Sequence, residues 1–100
     1  MRKIESQMLA AIAKRIDWKN DNTAVFYISA AETGNPHGAR SEVFLHGNHI
    51  ADYWHNTDTL ETDAKTLARW PSNTTKSRLR SLGANVTTKK GATFLDGVQV

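Results

Sequence analysis

The sequence predicts an α+β fold in which helices pack on one face of an antiparallel sheet. Three observations support this prediction: an apolar stripe of helical period at the N-terminus, β-rich segments separated by short turns, and a basic segment bounded by helix-capping residues. The chain has 100 residues, which is the usual size of one hydrophobic core, so we expect residues 1–100 to form a single domain.

The N-terminal segment is predicted to be an amphipathic helix. Ile4, Met8, Ile12 and Ile16 recur at intervals of four residues, which places them on one face of an α-helix. The helix is expected to end within residues 17–22, where Asp and Asn cluster.

A strand and a loop are predicted to come after the helix. Residues 23–28 combine β-branched and aromatic side chains, which favours a strand. Residues 31–40 contain several turn-forming residues and predict a loop, which also holds His37; the turn formers are Gly34, Asn35, Pro36 and Gly38.

A hairpin is the clearest local pattern in the chain. Residues 42–46 and 49–54 flank Gly47-Asn48, which predicts a two-residue turn in which glycine adopts a positive φ. In that register Leu45 opposes Ile50, so one face of the hairpin is apolar.

The remaining elements complete the α+β order. Residues 58–62 favour a strand followed by a turn or short helix, although residues 60–67 also fit a helical period. Residues 71–74 supply helix N-cap candidates for a short basic helix over residues 75–82, which Gly83 ends. A C-terminal hairpin is predicted from residues 86–88 and 92–95, joined by a turn at residues 89–91.

The charge and composition exclude several classes of protein. The net charge of +3 is unevenly spread, because residues 69–100 hold six Lys/Arg against one acidic residue, whereas residues 1–68 hold seven against nine. Such a basic excess attracts polyanions or acidic protein surfaces. The chain has no cysteine, no apolar run long enough to cross a bilayer and no signal-peptide pattern, so we expect an intracellular protein without membrane contact.

The sequence contains no recognisable catalytic or metal-binding motif, and we expect neither an enzyme nor a cofactor. His46 and His49 are predicted to face each other across the hairpin turn, but His55 is too far along the strand to complete a metal site and no acidic residue is placed to do so. The tryptophans and Phe94 are candidate stacking platforms for bases, although we expect the tryptophans to cover the edge of the core; they are Trp18, Trp54 and Trp70.

The basic helix is the best candidate for function. On a helical wheel Thr75, Leu79 and Leu82 form the packing face, while Lys76 and Arg80 project from the opposite side. Helix N-termini favour the binding of anions such as phosphate. A basic helix followed by a basic hairpin is also the layout of a winged helix, although in this chain strands precede the helix where winged folds have helices. The predicted nucleic-acid contacts are Thr75, Lys76, Arg78, Arg80, Lys89 and Lys90.

Three stretches resemble a family of small, uncharacterised proteins of tailed bacteriophages. They are residues 18–25, residues 43–51 with a Leu-His-Gly-Asn hairpin, and residues 74–79 with a Thr-Thr-Lys-Ser-Arg-Leu helix start that closes on residues 82–83. The resemblance implies a phage protein that acts in the host bacterial cytoplasm, and it implies no activity.

We therefore expect a non-enzymatic phage accessory protein that contacts nucleic acid, DNA rather than RNA, through phosphates. A module that binds or inhibits a host protein remains the alternative, because an exposed hairpin or sheet edge offers a surface for pairing. A third possibility is a minor virion or assembly component. The oligomeric state is left open.

Overall fold

The computed structural model describes residues 2–34 and 38–100, and its architecture is α+β, as predicted. A five-stranded antiparallel sheet has the order β1-β2-β3-β4-β5, and a separate three-stranded sheet has the order β6-β7-β8. The helices are α1 (Lys3–Lys14), α2 (Ala30–Thr33), α3 (Ala64–Arg69) and α4 (Asn73–Ser81). The strands are β1 (Trp18–Asn20), β2 (Thr23–Ile28), β3 (Arg40–Leu45), β4 (Asn48–Trp54), β5 (Thr59–Thr62), β6 (Val86–Lys89), β7 (Ala92–Leu95) and β8 (Val98–Gln99).

The inner face of the large sheet carries the core. Helix α1 packs its apolar stripe against β2, and α3 and α4 contact β4, so the helices lie on one side of the sheet. Alternation along β3 leaves every second side chain buried, as expected for a sheet with one packed face. The buried cluster joins α1, the sheet, α3, α4 and β6; its fully buried members with large side chains are Met8, Val25, Val43, Ile50, Leu67 and Leu79.

Several predicted boundaries are corrected by the structure. Helix α1 ends at Lys14, because Arg15 adopts a left-handed φ of 56° as the C-cap, and Ile16 therefore leaves the stripe with 47% of its surface exposed. The chain around residues 17–22 forms strand β1, which the cluster of Asp and Asn did not indicate. The predicted loop at residues 31–40 contains most of the short helix α2, whose N-cap is Ser29, while Asn35, Pro36 and His37 lie outside the described residues.

The predicted β3–β4 turn is displaced by one residue. The turn residues are His46 and Gly47, with φ values of 52° and 79°, and Leu45 pairs with Asn48 rather than with Ile50. Positive φ at both central positions is the geometry of a type I′ turn, whose twist matches that of the strands. Histidine tolerates the left-handed region, so the turn closes one residue earlier than Gly47-Asn48 predicts.

The elements predicted between residues 58 and 82 are present in the structure, with boundaries shifted by one or two residues. Residues 59–62 are strand β5 and α3 comes directly after it, which resolves the strand-or-helix alternative in favour of a strand and then a short helix. The basic helix α4 begins earlier than predicted, at Asn73, because Ser72 accepts a hydrogen bond from the Thr75 backbone N–H and serves as the N-cap. No helix in the described ranges has the length and apolar character needed to cross a membrane.

Candidate functional site

The basic helix α4 is partly an internal element of the fold. Its side chains at Thr75, Lys76, Arg78 and Leu79 are all buried, with Arg78 only 3% exposed. The buried surface of α4 is therefore wider than the packing face that the sequence predicted. Helix α1 covers α4 on one side and β6 covers it on another, and Lys76 and Arg78 lie beneath these neighbours.

Arg78 is the clearest correction to the predicted contacts. Its Nη1 donates to Glu5 Oε2 at 2.9 Å, and its Nε donates to Thr23 Oγ1 at 3.0 Å. Ser77 Oγ donates to the same Glu5 oxygen at 2.6 Å. Burial raises the pKa of Glu5, but the hydrogen bonds from Ser77 and Arg78 outweigh it and hold the pKa below its ordinary value. Arg78 thus ties α4 to α1 and β2 from the inside of the protein.

Lys76 and Thr75 are also buried and hydrogen-bonded within the protein, although Thr75 contributes to the lining of a pocket described below. Lys76 is 7% exposed and its Nζ donates to Thr88 Oγ1 on β6 at 2.6 Å. Thr75 is 3% exposed, and its hydroxyl hydrogen-bonds the N-cap Ser72 at 3.0 Å. The burial of Thr75 agrees with its predicted place on the packing face of α4, whereas the burial of Lys76 corrects its predicted place on the opposite, exposed side.

Arg80, Lys89 and Lys90 remain exposed. Arg80 Nε donates to the Val86 carbonyl at 2.7 Å, so its guanidinium is held where β6 begins. Since Lys76 contacts Thr88 and Arg80 contacts Val86, α4 and β6 run antiparallel. Strand β6 therefore leads back toward the N-terminal end of α4 before the turn at Lys90-Gly91.

A pocket of about 700 Å³ opens at that same end of α4. The β3–β4 turn, the end of α3 and the first turn of α4 line it, and its surface is mainly apolar. Trp70 is 54% exposed on its rim, and Arg69 lies beside it. The interpretation of all three tryptophans as core covers is therefore wrong for Trp70, whereas Trp18 packs against the core as expected.

His49 lies on the outer face of the large sheet, and a β-bulge places it there. The β3–β4 pairing shifts between Val43 and Phe44, so that His49 opposes Phe44 while Asp52 opposes Glu42. Without the extra residue, side chains three apart on a strand would point to opposite faces. The bulge buries both Ile50 and Ala51 and brings His49 and Asp52 to the same side.

Two carboxylates hold the His49 ring. Its Nε2 lies 2.8 Å from Asp52 Oδ1 and its Nδ1 lies 3.0 Å from Asp63 Oδ2. Burial lowers the pKa of His49, but hydrogen bonds to Asp63 and Asp52 outweigh it and raise the pKa overall. Burial likewise raises the pKa of Asp63, but the hydrogen bonds from His49 and Thr66 bring it below its ordinary value.

The structure therefore changes the grouping of the histidines. His46 is exposed on the turn and does not oppose His49, which corrects the predicted pair. Glu42, His49 and Asp52 form a cluster whose possible ligand atoms all lie within 4.8 Å of one another. No pattern in the sequence indicated this set, because a strand with regular alternation would separate His49 from Asp52.

His55 belongs to the inner face of the sheet. Its Nε2 lies 2.8 Å from Ser41 Oγ, and its ring meets Tyr53 edge to face at a centroid distance of 5.0 Å. Burial lowers the pKa of His55. Ser41 is fully buried, so this serine–histidine pair is part of the internal packing.

The five-stranded sheet with its helical layer and the separate three-stranded sheet define an α+β protein. A family model described as Kyanoviridae Gp96 protein matches residues 1–100, and the chain belongs to this family of tailed-cyanophage proteins. The resemblance to small tailed-phage proteins is thereby confirmed. No curated protein and no solved structure matches the chain.

Proposed function

We propose that this protein is a non-enzymatic phage accessory protein that contacts nucleic acid in the cytoplasm of the infected bacterium. The single observation that carries the proposal is the set of cations that stay exposed after residue 68, together with Trp70, which is 54% exposed at the pocket rim; the cations are Arg69, Arg80, Lys89 and Lys90. Cations that track a phosphate backbone next to an aromatic ring that stacks on a base are the usual means of binding a single strand.

The proposed contacts differ from those that the sequence predicted. Arg80, Lys89 and Lys90 are retained because they are exposed, and Arg69 joins them at the pocket rim. Trp70 supplies the stacking surface, since more than half of its surface is open at 54%. Lys76, Arg78 and Thr75 support α4 from within and take no part in the contact.

The distribution of acidic residues supports this orientation. Glu42, Asp52 and Glu61 face one another across β3, β4 and β5 on the outer side of the large sheet. A phosphate backbone is repelled from such a row and attracted to the opposite, basic end of the molecule. Nucleic acid is therefore expected at α4 and β6, and not on the open sheet face.

The test is binding anisotropy with labelled single-stranded DNA, duplex DNA and RNA over a salt series. With three to four phosphate contacts, the logarithm of the binding constant is expected to fall against the logarithm of salt concentration with a slope of about −2 to −4. The double variant Lys89→Glu, Lys90→Glu is expected to lose binding. The matched control is Lys14→Glu, Lys19→Glu, which changes two exposed lysines elsewhere and gives the same net charge.

Trp70→Ala separates stacking from charge. Stacking is worth about 1–3 kcal/mol per base, so this variant is expected to weaken single-strand binding about tenfold or more and to leave duplex binding nearly unchanged. Absence of binding to all three nucleic acids at low salt refutes the proposal. If the lysine variant and its control lose nucleic-acid binding equally, the binding is non-specific electrostatic attraction and not a contact at the proposed site.

A host protein is the second candidate partner, and the open face of the sheet favours it. Phe26 is 43% exposed there and stacks edge to face on Phe44 at 5.5 Å. Exposed aromatic residues within a polar surround are typical of protein interfaces. Capture from host lysate with and without nuclease distinguishes the two: a partner retained after nuclease, and lost in Phe26→Ser, supports protein binding.

A further inference from the structure

We propose that Glu42, His49 and Asp52 form a binding site for a first-row divalent transition-metal ion on the outer face of the large sheet. The site is independent of the proposed nucleic-acid contact, which lies at α4 and β6. Three features carry the proposal: the arrangement of the donor atoms, the support behind the histidine, and the row of acidic residues around it.

The donor atoms are close enough to share one ion. His49 Nε2 and Asp52 Oδ1 are already 2.8 Å apart, and the Glu42 carboxylate lies within 4.8 Å of both. Metal–nitrogen and metal–oxygen bonds of about 2.0–2.2 Å place neighbouring ligand atoms about 3 Å apart, so small side-chain rotations complete the set. The ion would bind His49 Nε2 and Asp52 Oδ1 in their unprotonated forms.

Asp63 gives the histidine the support that metal-bound imidazoles usually have. His49 Nδ1 lies 3.0 Å from Asp63 Oδ2, and in the tautomer in which Nδ1–H donates to this carboxylate, Nε2 is left for the ion on the side of Asp52. The other Asp63 oxygen accepts the Thr66 backbone N–H at 3.1 Å as the N-cap of α3, so the carboxylate is itself fixed. A carboxylate behind a ligating histidine fixes the ring orientation and increases the basicity of the donor nitrogen.

The acidic row gives the ion an electrostatic role. Glu42 pairs with Asp52, and Asp52 pairs with Glu61, so three carboxylates stand in line across adjacent strands. Like charges directly opposite each other destabilise a sheet. Arg40 neutralises part of this charge at one Glu42 oxygen, at 3.3 Å, and a divalent ion offsets the rest.

The ligand chemistry selects the class of metal. Imidazole favours zinc, copper, iron and nickel, whereas carboxylate and water alone favour magnesium and calcium. One imidazole and two carboxylates, half-buried at the sheet surface, therefore fit Zn²⁺ better than Mg²⁺. Three protein donors leave the remaining coordination position to water or to an oxygen ligand.

The experiment is isothermal titration of the full, untagged chain with Zn²⁺ at about pH 8, where free imidazole is neutral. We expect one ion per chain, with Mg²⁺ binding much more weakly. His49→Gln and Asp52→Asn are each expected to weaken Zn²⁺ binding more than tenfold, and Asp63→Asn about tenfold or more through the lost support. The matched control His46→Gln removes an exposed histidine from the adjacent turn and is expected to keep wild-type affinity.

A second measurement on the wild-type chain avoids dependence on folded variants. The imidazole ¹⁵N resonances should show Zn²⁺ perturbing Nε2 of His49 and leaving His46 unaffected. Zn²⁺ binding that persists in His49→Gln, that is lost in His46→Gln, or that perturbs a histidine other than His49 overturns the proposal. Equal affinity for Mg²⁺ and Zn²⁺ overturns the assigned class of metal.

Discussion

Replacing Arg78 by alanine is expected to cost about 3–5 kcal/mol of unfolding free energy, because the change leaves the buried Glu5 carboxylate without its cation. The two side chains are 4% and 3% exposed, and their atoms approach to 2.9 Å. The same change removes the hydrogen bond to Thr23 and leaves a cavity beside α4. Since about 1 kcal/mol shifts the melting temperature of a domain of this size by about 4–8 °C, a fall of more than about 12 °C is expected.

The assay is urea denaturation followed by circular dichroism, with thermal melts alongside. Arg80→Ala is the matched control, because its side chain is exposed and only its hydrogen bond to the Val86 carbonyl is lost; a cost near 1 kcal/mol is expected. The double change Glu5→Leu, Arg78→Met replaces the pair by apolar groups and should recover much of the loss. If Arg78→Ala costs no more than Arg80→Ala, the structural role assigned to Arg78 is wrong.

Three further changes test other parts of the fold. The pKa of Glu5 is lowered in the folded state, so the contribution of this carboxylate to stability is present above about pH 4.5 and falls as the pH drops through the folded-state pKa. Urea titrations between pH 7 and pH 3 should therefore show that the free energy of unfolding declines less steeply with falling pH in Glu5→Gln than in the wild type. Leu79→Ala removes a fully buried side chain and is expected to cost about 2–5 kcal/mol by denaturant unfolding, and a loss below 1 kcal/mol would contradict its central place in the core. Ser72→Ala removes the N-cap of α4 and is expected to cost about 1 kcal/mol, whereas Ser72→Asp should restore stability to near the wild-type value.

Most of the secondary structure was accessible from local patterns. The four-residue spacing of Ile4, Met8 and Ile12 predicted α1, and the two segments that flank Gly47-Asn48 predicted the β3–β4 hairpin. Such patterns are informative because each helix or strand must bury one face, and the residues on that face recur at a fixed spacing along the sequence. The same reasoning failed at Ile16 and at the β3–β4 turn, because residues with a positive φ change the direction of the chain there. Arg15 ends α1 before Ile16, and His46 and Gly47 form the turn.

The candidate sites were less accessible for a physical reason. A helical wheel treats solvent as the only alternative to the core, so it placed Lys76 on an open surface, and Arg78 was likewise predicted to contact nucleic acid. In the structure α1 supplies a buried carboxylate and β6 a hydroxyl, which stabilise those cations inside the protein. The Glu5 partner of Arg78 lies 73 residues away in the sequence and the Thr88 partner of Lys76 lies 12 away, and no local pattern indicates either.

The basic excess after residue 68, the lack of cysteine and the order of the main helices and strands, apart from β1 and α2, were determined by the sequence alone. Which cations stay exposed, and which histidine meets which carboxylate, was decided only by the tertiary structure. A single bulge between β3 and β4 moves His49 to the face of Asp52, and the packing of α4 between α1 and β6 moves Arg78 inward. Local composition sets the elements, but chemistry at a site depends on which side chains share a face, and that is fixed by register and packing.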